Sequence, residues 1–397
     1  MAKKFVKDIV VKNKLVFLRN DFNVPLNKKR EITDDNRIRE SLATFRFLLD
    51  QGARIVCCSH LGRPKGEIIP ECSLKPVADR LSELVGREVL FNGEIVGAKA
   101  EQARAKLKPG QILLLENLRF HPGETANDES FARELAKGVD VFVDDAFGAC
   151  HRAHASIAAI TRFVPVAACG FLLKKEIDFL SLALHNPPAN FLLILGGAKV
   201  ADKIPVITNL LDHGARTILI GGAMAYTFLK ARGEEVGNSR VESEFLPVCT
   251  EIMKKAETLG RRLLLPIDHV SAIKIEPHIT IKFNRPGEPI APEMMGLDIG
   301  PETIELYSQE IAKAELIVWN GPMGVFEFDT FAAGTIEIAR AIAAAKATSI
   351  VGGGDSVAAL SKAKVADRIS HISTGGGAAL EFLSGEKLPG IEALTEA

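Results

Sequence analysis

The sequence lacks a large net charge, a disulfide framework and a long apolar run. Its 397 residues carry 49 Lys and Arg against 50 Asp and Glu, a balance that argues against a general nucleic-acid binder. The six cysteines show no framework spacing, so a reduced cytoplasm fits best. No uncharged stretch is long enough for a transmembrane helix, and the charged start of the chain lacks the apolar segment of a secretory signal. We therefore expect a cytoplasmic protein with no membrane or nucleic-acid partner.

Familiar phosphate and metal motifs are also absent. No GxxxxGK[ST] occurs, which excludes Walker-type ATPases, and no GxGxxG follows a predicted strand, which weakens an assignment as a nicotinamide dehydrogenase. The pair His151 and His154 has no second ligand pair at zinc-finger spacing, so we interpret His154 as a structural residue whose hydrogen bonds are satisfied.

Short apolar runs alternate with stretches of helical period along the chain. Continuous Val, Ile and Leu runs are typical of strands buried on both faces of a parallel sheet, and repeated strand–helix units indicate doubly wound α/β sheets. More strands are predicted than one such domain holds, and an amphipathic stretch from Leu172 to Leu184 divides them. We predict two doubly wound parallel-sheet (Rossmann-like) domains, over residues 1–171 and 172–384, joined by a connector helix, with a tail over 385–397. The predicted strands are Leu15–Leu18, Arg54–Cys58, Val89–Phe91, Ile112–Leu115, Val139–Val143, Phe191–Leu195, Thr217–Ile220, Arg262–Leu265, Leu316–Trp319, Thr348–Val351 and Ile369–Ile372.

In the first half, arginine and histidine follow the predicted strands. Ligands of open α/β sheets bind beyond the carboxyl ends of the strands, and the planar guanidinium binds carboxylate or phosphate through two hydrogen bonds. Convergence of several such cations predicts a small ligand with more than one negative charge. The residues concerned are His60, Arg63, Arg119 and Arg152 after predicted strands, and Arg37 at the start of a predicted helix.

In the second half, glycine takes the place of arginine at the strand ends. Glycine lets backbone N–H groups approach a phosphate closely, and a helix start favours negative charge. Asp355 follows three glycines and is a predicted Mg²⁺ ligand. Lys199 and Lys203 are four residues apart, so we expect both to project from one helical face and to neutralise a transferring phosphoryl group.

Taken in order along the chain, these motifs resemble those of the phosphoglycerate kinase family. The resemblance implies a monomeric, hinge-bending glycolytic kinase, whose first domain binds 3-phosphoglycerate or 1,3-bisphosphoglycerate and whose second binds Mg²⁺ with ATP or ADP. It also implies that the tail packs back on the first domain. The motifs are Arg19-Asn-Asp-Phe-Asn-Val-Pro, Ser59-His-Leu-Gly-Arg-Pro, Glu116-Asn-Leu-Arg-Phe, Asp145-Ala-Phe-Gly, His151-Arg-Ala-His, Gly196-Gly-Ala-Lys-Val, Asn320-Gly-Pro-Met-Gly-Val-Phe-Glu and Gly352-Gly-Gly-Asp-Ser.

The resemblance also implies a role for each matching residue, with Glu327 on the ribose and Asp355 on the metal. The transferring group would be stabilised by Arg37, Lys199, Lys203 and Gly376. The phosphoglycerate site would comprise Asp21, Phe22, Asn23, Arg37, His60, Leu61, Gly62, Arg63, Arg119 and Arg152. The nucleotide site would comprise Gly197, Ala198, Lys203, Gly221, Gly222, Gly296, Asn320, Glu327, Gly353, Gly354, Asp355 and Ser356.

Two other interpretations stay open at this point. A different kinase that forms an acyl phosphate would keep the glycine loops and change the basic residues. A non-catalytic protein would bind both ligands without turnover, although the presence of Lys199, Lys203 and Asp355 argues against it. Because a carboxylate acceptor is already ionised at pH 7, the kinase interpretation requires no general base.

Overall fold

The computed structural model describes residues 3–397 and divides them into two compact units. The first unit runs to Asp178 and also includes Lys387–Ala397, and the second unit is Phe179–Glu386. Each unit is built on a six-stranded parallel sheet whose strands alternate with helices along the chain. The predicted fold class, two parallel-sheet α/β domains, is confirmed.

The sheet of the first unit has the strand order β3-β4-β2-β1-β5-β6. Its central strand β1 is buried at every position, as expected for a strand covered on both faces. Phe17 of β1 stacks on Phe142 of β5 with ring centroids 6.5 Å apart. The strands are β1 (Leu15–Asn20), β2 (Arg54–Cys58), β3 (Val89–Asn92), β4 (Ile112–Leu115), β5 (Val141–Asp145) and β6 (Ala167–Cys169). The helices are α1 (Asn36–Asp50), α2 (Lys75–Val85), α3 (Ala98–Ala105), α4 (Pro122–Thr125), α5 (Glu129–Ala136) and α6 (Phe171–Leu184).

The second unit contains a parallel sheet of order β15-β14-β13-β7-β8-β9 and a three-stranded antiparallel sheet of order β11-β10-β12. The parallel strands are β7 (Phe191–Leu195), β8 (Thr217–Ile220), β9 (Arg262–Leu264), β13 (Leu316–Asn320), β14 (Thr348–Gly352) and β15 (His371–Ile372). The antiparallel strands are β10 (His269–Ala272), β11 (Lys282–Asn284) and β12 (Met295–Ile299). The helices are α7 (Ile204–Asp212), α8 (Met224–Ala231), α9 (Leu246–Thr258), α10 (Pro301–Lys313), α11 (Ala333–Ala344), α12 (Gly354–Ala363) and α13 (Gly377–Leu383).

The last residues of the chain pack within the first unit. They include the short helix α14 (Pro389–Glu392). The Gly390 amide donates to the carbonyl of Cys150 at 2.9 Å, and the Thr395 amide donates to the carbonyl of Ala167 at 3.0 Å. The chain therefore returns to the first unit after the second is complete.

The structure corrects the prediction that Lys199 and Lys203 share a helical face. Helix α7 begins only at Ile204, directly after Lys203, and Lys199 lies in an irregular loop. The Glu242 carboxylate accepts hydrogen bonds from the amides of Val200 and Ala201, at 2.8 and 3.3 Å. Both amides precede α7, so the Glu242 side chain holds the segment just after Lys199, and Lys199 itself lies outside the helix.

Among the described residues, 3–397, no helix is both long enough and apolar enough to cross a membrane.

Candidate functional site

The predicted anion-binding residues of the first unit lie at one edge of its sheet. Strands β4, β2, β1 and β5 are neighbours, so the loops at their carboxyl ends lie side by side. Arg37, from the first turn of α1, forms an ion pair with Asp21 after β1. Asp21 Oδ1 lies 4.0 Å from Nε2 of His60, which follows β2. Three separate segments thus meet at the Asp21 carboxylate.

The loop after β2 is held from two sides at Gly62. The Gly62 amide donates to Asn23 Oδ1 at 2.9 Å, and Arg119 donates to the Gly62 carbonyl at 2.8 Å. Phe22 and Leu61, also predicted to bind substrate, are buried at 0% and 4% exposure. Their side chains pack in the core, so only their backbone is available at this edge.

Two exposed arginines border this cluster. Arg152 donates through Nε to Nε2 of His151 at 3.1 Å. Arg63 directly follows Gly62 and makes no side-chain hydrogen bond or ion pair with any described residue. An arginine without a protein partner keeps its donors available for a ligand.

Burial and neighbouring charges set the protonation states of the cluster. Burial acts to raise the pKa of Asp21, but His60, Arg37 and Arg19 outweigh it and hold the pKa below its ordinary value. Burial lowers the pKa of His60 well below its ordinary value. Burial, with Arg19 and Arg152, lowers the pKa of Arg119 to about 10. At pH 7 the edge therefore holds an ionised Asp21, a neutral His60 and charged arginines, which favours an anion.

His154 is not the fully satisfied residue that the sequence suggested. Its Nδ1 is buried without a hydrogen-bond partner among the described residues and lies 3.8 Å from Oε1 of the buried Glu124. Burial and the nearby Arg19 and Arg119 lower its pKa to about 4. No group of three potential metal-ligating side chains occurs in the described chain, 3–397.

The second unit has two adjoining cavities at the carboxyl ends of β7, β13 and β14. One, of about 420 Å³, is lined by Lys199, Lys203, Asn320 and the glycines before α12 and α13. The other, of about 280 Å³, is lined by Tyr226, Leu297, Glu327 and other residues. Gly197, Ala198, Pro322 and Asp355 line both, so the two form one continuous site.

Nearly all predicted nucleotide residues line this site, and Gly221 is the exception. Gly221 is buried, and a Cβ there would lie 2.4 Å from Met323 Sδ, so it is a packing residue. Several lining residues were not predicted. Three of them belong to helix α8 and strand β12, which were not predicted as elements, and the other three lie in loops. The predicted residues that line it are Gly197, Ala198, Lys199, Lys203, Gly222, Gly296, Asn320, Glu327, Gly353, Gly354, Asp355, Ser356 and Gly376. The missed residues are Tyr226, Arg240, Ile275, Met295, Leu297 and Val325.

The glycines of the site fall into two groups, those required by close backbone packing and those that leave open space. A Cβ on Gly196 would lie 2.1 Å from the carbonyl oxygen of Pro322, and one on Gly222 would lie 2.4 Å from the Gly197 amide. The loops after β7, β8 and β13 are therefore packed backbone against backbone. A Cβ on Gly354 or Gly377 would meet nothing within 4 Å. These two positions leave space that a ligand can occupy.

Lys203 is the buried cation of the site. Its Nζ donates to Oδ1 of Asn320, whose Nδ2 donates to the Gly352 carbonyl at 2.9 Å. Burial lowers the pKa of Lys203 to about 8, although Asp202 and Asp355 act to raise it. Lys199, in contrast, is exposed. An exposed cation and a buried one thus line the same cavity.

The carboxylate of Asp355 is suited to hold a magnesium ion. Asp355 is exposed in the first turn of α12 and lines both cavities. Mg²⁺ in nucleotide sites is commonly held by one or two carboxylates together with phosphate oxygens and water. A single carboxylate at the junction of the two cavities fits that requirement.

The chain is similar to phosphoglycerate kinases over its full length. A family model described as phosphoglycerate kinase matches residues 6–386. The phosphoglycerate kinase of Koribacter versatilis is 54% identical and that of Clostridium tetani 50% identical, with 100% and 99% of this chain and 100% and 98% of the relative covered. Among solved structures, phosphoglycerate kinase from Coxiella burnetii has a TM-score of 0.90 at 38% identity, with 98% of both chains covered. That from Pyrococcus horikoshii has a TM-score of 0.86 at 34% identity, covering 99% of this chain and 98% of the other.

Proposed function

Because the chain belongs to the phosphoglycerate kinase family, it is a glycolytic kinase, and we propose how its residues divide the work. The enzyme reversibly transfers a phosphoryl group between ATP and the carboxylate of 3-phosphoglycerate, giving ADP and 1,3-bisphosphoglycerate. We propose which residues bind each substrate and the metal, and where and in which oligomeric state the protein acts.

We propose that the edge around Asp21 binds 3-phosphoglycerate. The supporting observation is the meeting of Arg37, Asp21 and His60 at the carboxyl ends of the strands, with Arg63, Arg119 and Arg152 around them. A doubly charged phosphate and a carboxylate require several cations, and this edge supplies them. The hydrogen bond from the Gly62 backbone N–H to the side-chain oxygen of Asn23 keeps the loop between these cations in position.

We propose that the second unit binds ATP or ADP across its two cavities. The cavity lined by Tyr226 and Leu297 suits the adenine, and Glu327 at its border suits the ribose hydroxyls. The phosphates then lie along the cavity lined by Lys199, Lys203 and the glycine loops. Asp355 would hold Mg²⁺, which when bound neutralises phosphate charge.

The proposed transfer is an in-line attack by the substrate carboxylate on the γ-phosphorus. The carboxylate is ionised at pH 7, so no protein group has to remove a proton. Arg37 and Lys199 stabilise the charge on the transferring group, with Lys203 and the backbone around Gly376 as further donors. Hinge closure brings the two substrates together and excludes water.

We also propose the boundaries of the two domains, the oligomeric state and the location of the protein. The 3-phosphoglycerate domain would cover residues 1–171 with the tail 385–397, and the connector helix and nucleotide domain would cover 172–384. We propose a monomer that acts in the cytoplasm on small substrates.

Replacing Arg63 by alanine tests the assignment of the anion site. Since Arg63 has no partner within residues 3–397, its loss should leave folding unchanged. KM for 3-phosphoglycerate should rise about tenfold or more, through a lost hydrogen bond to a charged group. ATP consumption dependent on 3-phosphoglycerate provides the measurement. Arg46→Ala, an exposed arginine of α1, is the matched control and should behave as wild type. An unchanged KM in Arg63→Ala would contradict the assignment.

The lowered pKa of Lys203 predicts a pH dependence of nucleotide use. An ordinary lysine stays charged to above pH 10, whereas Lys203 in the free enzyme loses its proton as the pH rises through about 8. We expect kcat/KM for ATP, which reports groups of the free enzyme, to fall above that pH. The free energy of unfolding should rise between about pH 8 and 10.5, because the unfolded chain then binds more protons.

The control for this pH profile is Lys203→Arg, which keeps its charge throughout the range. The fall in kcat/KM should be missing from this variant. The same fall in both proteins would assign the titration to another group.

A further inference from the structure

A network of buried polar side chains adjoins the proposed anion site at His60, and none of its other members has been assigned to substrate binding. Arg19, at the end of β1, is 0% exposed. Its Nε donates to Ser156 Oγ at 2.8 Å, one terminal nitrogen donates to the Asn20 carbonyl, and the other contacts His60 Nδ1 at 3.2 Å. Arg19 therefore joins the core of the unit to a residue that faces the proposed substrate.

Glu124 is the member of this network farthest along it from His60. Its side chain is fully buried and accepts hydrogen bonds from the Ser156 amide at 3.0 Å and from Ser156 Oγ at 2.7 Å. Glu124 Oε1 lies 3.9 Å from the guanidinium of Arg19. A buried guanidinium needs such a carboxylate, because removing its charge from water is otherwise costly.

The contact between Arg19 and His60 fixes where the imidazole carries its proton. A guanidinium has only donors, so Nδ1 of His60 must be the acceptor and cannot carry a hydrogen. A neutral imidazole has one N–H, which must then be at Nε2. Nε2 is the atom that lies on the Asp21 side of the ring, 4.0 Å from its carboxylate.

We propose that Arg19, held by Glu124 through Ser156, is a positioning residue that keeps His60 in the Nε2–H tautomer. His60 then presents a hydrogen-bond donor to an anionic substrate. The opposite tautomer would direct a lone pair at the same anion and repel it. This inference deepens the proposed function, since it rests on His60 as a 3-phosphoglycerate ligand.

The charges around His60 indicate what the loss of Arg19 does. After burial, the groups that act on its pKa are Asp21, which raises it, and Arg19, Arg119 and Arg37, which lower it. Removing the Arg19 charge takes away one of the groups that lower the pKa of His60, while Asp21 still raises it. The imidazole should therefore take up a proton at higher pH. The tautomer and the pH profile should therefore change together.

The test is the ¹⁵N–¹H spectrum of the histidine rings in the free full-length protein, with His60 assigned through His60→Gln. We expect wild-type His60 to be neutral and protonated at Nε2 at pH 7, because burial holds its pKa well below the ordinary value. In Arg19→Met, we expect mixed tautomers and titration of His60 at a higher pH than in the wild type. We also expect KM for 3-phosphoglycerate to be raised about tenfold and to depend on pH, a larger change than in kcat. Arg19→Lys, which retains a charged donor, should restore the Nε2–H signal.

Glu124→Gln provides a second variant, because it removes the charge and keeps the shape of the anchor. If Arg19→Met does not fold, Glu124→Gln provides the test instead. We expect this variant also to show both tautomers of His60. A proton on Nδ1 in the wild type would overturn the proposal, as would a folded Arg19→Met or Glu124→Gln with unchanged His60 signals. If the tautomer is as expected but 3-phosphoglycerate does not shift the His60 resonances, the substrate assignment fails and the positioning role of Arg19 stands.

Discussion

Replacing Lys199 by alanine is expected to lower kcat about 100-fold or more while the protein stays folded. The side chain is exposed in a loop, so its removal leaves no buried partner unsatisfied. In the proposed mechanism its charge acts on the transferring phosphoryl group, and the loss of one such preorganised donor commonly costs two to three orders of magnitude in rate. The measurement is kcat at saturating ATP and 3-phosphoglycerate, with the thermal midpoint as the check on folding.

Arg37→Ala should show a loss of the same order, for the same reason, from the other substrate site. Arg37 also pairs with Asp21, so Arg37→Lys is needed as the variant that keeps a charge beside this carboxylate. Lys254→Ala, an exposed lysine of α9, controls for the general effect of removing a surface charge and should retain wild-type kcat. Near-normal turnover in Lys199→Ala or Arg37→Ala would remove that residue from the transition state.

The second large effect is expected from Gly222→Ala. Gly222 has φ +64°, in the left-handed region, and an added Cβ would lie 2.4 Å from the Gly197 amide nitrogen. Both backbones belong to loops that line the nucleotide site, so neither can move without disturbing it. We expect the free energy of unfolding to fall by about 3 kcal/mol or more, with a matching loss of ATP affinity. Urea unfolding and ATP titration are the two measurements.

Gly354→Ala is the matched control for this steric effect. Its Cβ would meet nothing within 4 Å, and its position at the start of α12 tolerates alanine. The free energy of unfolding should therefore stay within about 0.5 kcal/mol of wild type. KM for ATP should nevertheless rise, because the methyl group enters the cavity proposed for the phosphates. Equal destabilisation by both substitutions would show that the backbone packing at Gly222 is not the cause.

The sequence was most informative where one physical cause dominates. Strands such as Phe191–Leu195 and Leu316–Asn320 are buried on both faces, so their apolar runs are continuous and easy to recognise. The cations that directly follow such strands were also found, since neighbouring strands bring their loops to one edge. Arg37, from a helix start, and His60 lie beside Asp21 at this edge, and their role in binding stays a prediction.

Features that depend on tertiary contacts could not be predicted. Strand β12 contains the buried Asp298, which interrupts its apolar pattern, and the strand was missed together with Leu297 of the nucleotide cavity. Glycine at position 222 suggested a phosphate loop but not the close backbone packing against Gly197 that leaves no room for a Cβ there. Nothing in the sequence pairs Glu124 with Ser156, because this contact joins segments that only the fold brings together.

The return of Lys387–Ala397 to the first unit has a consequence for synthesis on the ribosome. Domains commonly fold in turn as they emerge, the amino-terminal one first. Here the amide of Gly390 bonds to Cys150, close in sequence to Arg152, and Thr395 bonds to Ala167. The first unit is synthesised before the second but cannot acquire these bonds until residues 387–397 have been translated and have left the exit tunnel. A segment translated after the whole second unit thus completes the packing of the first unit.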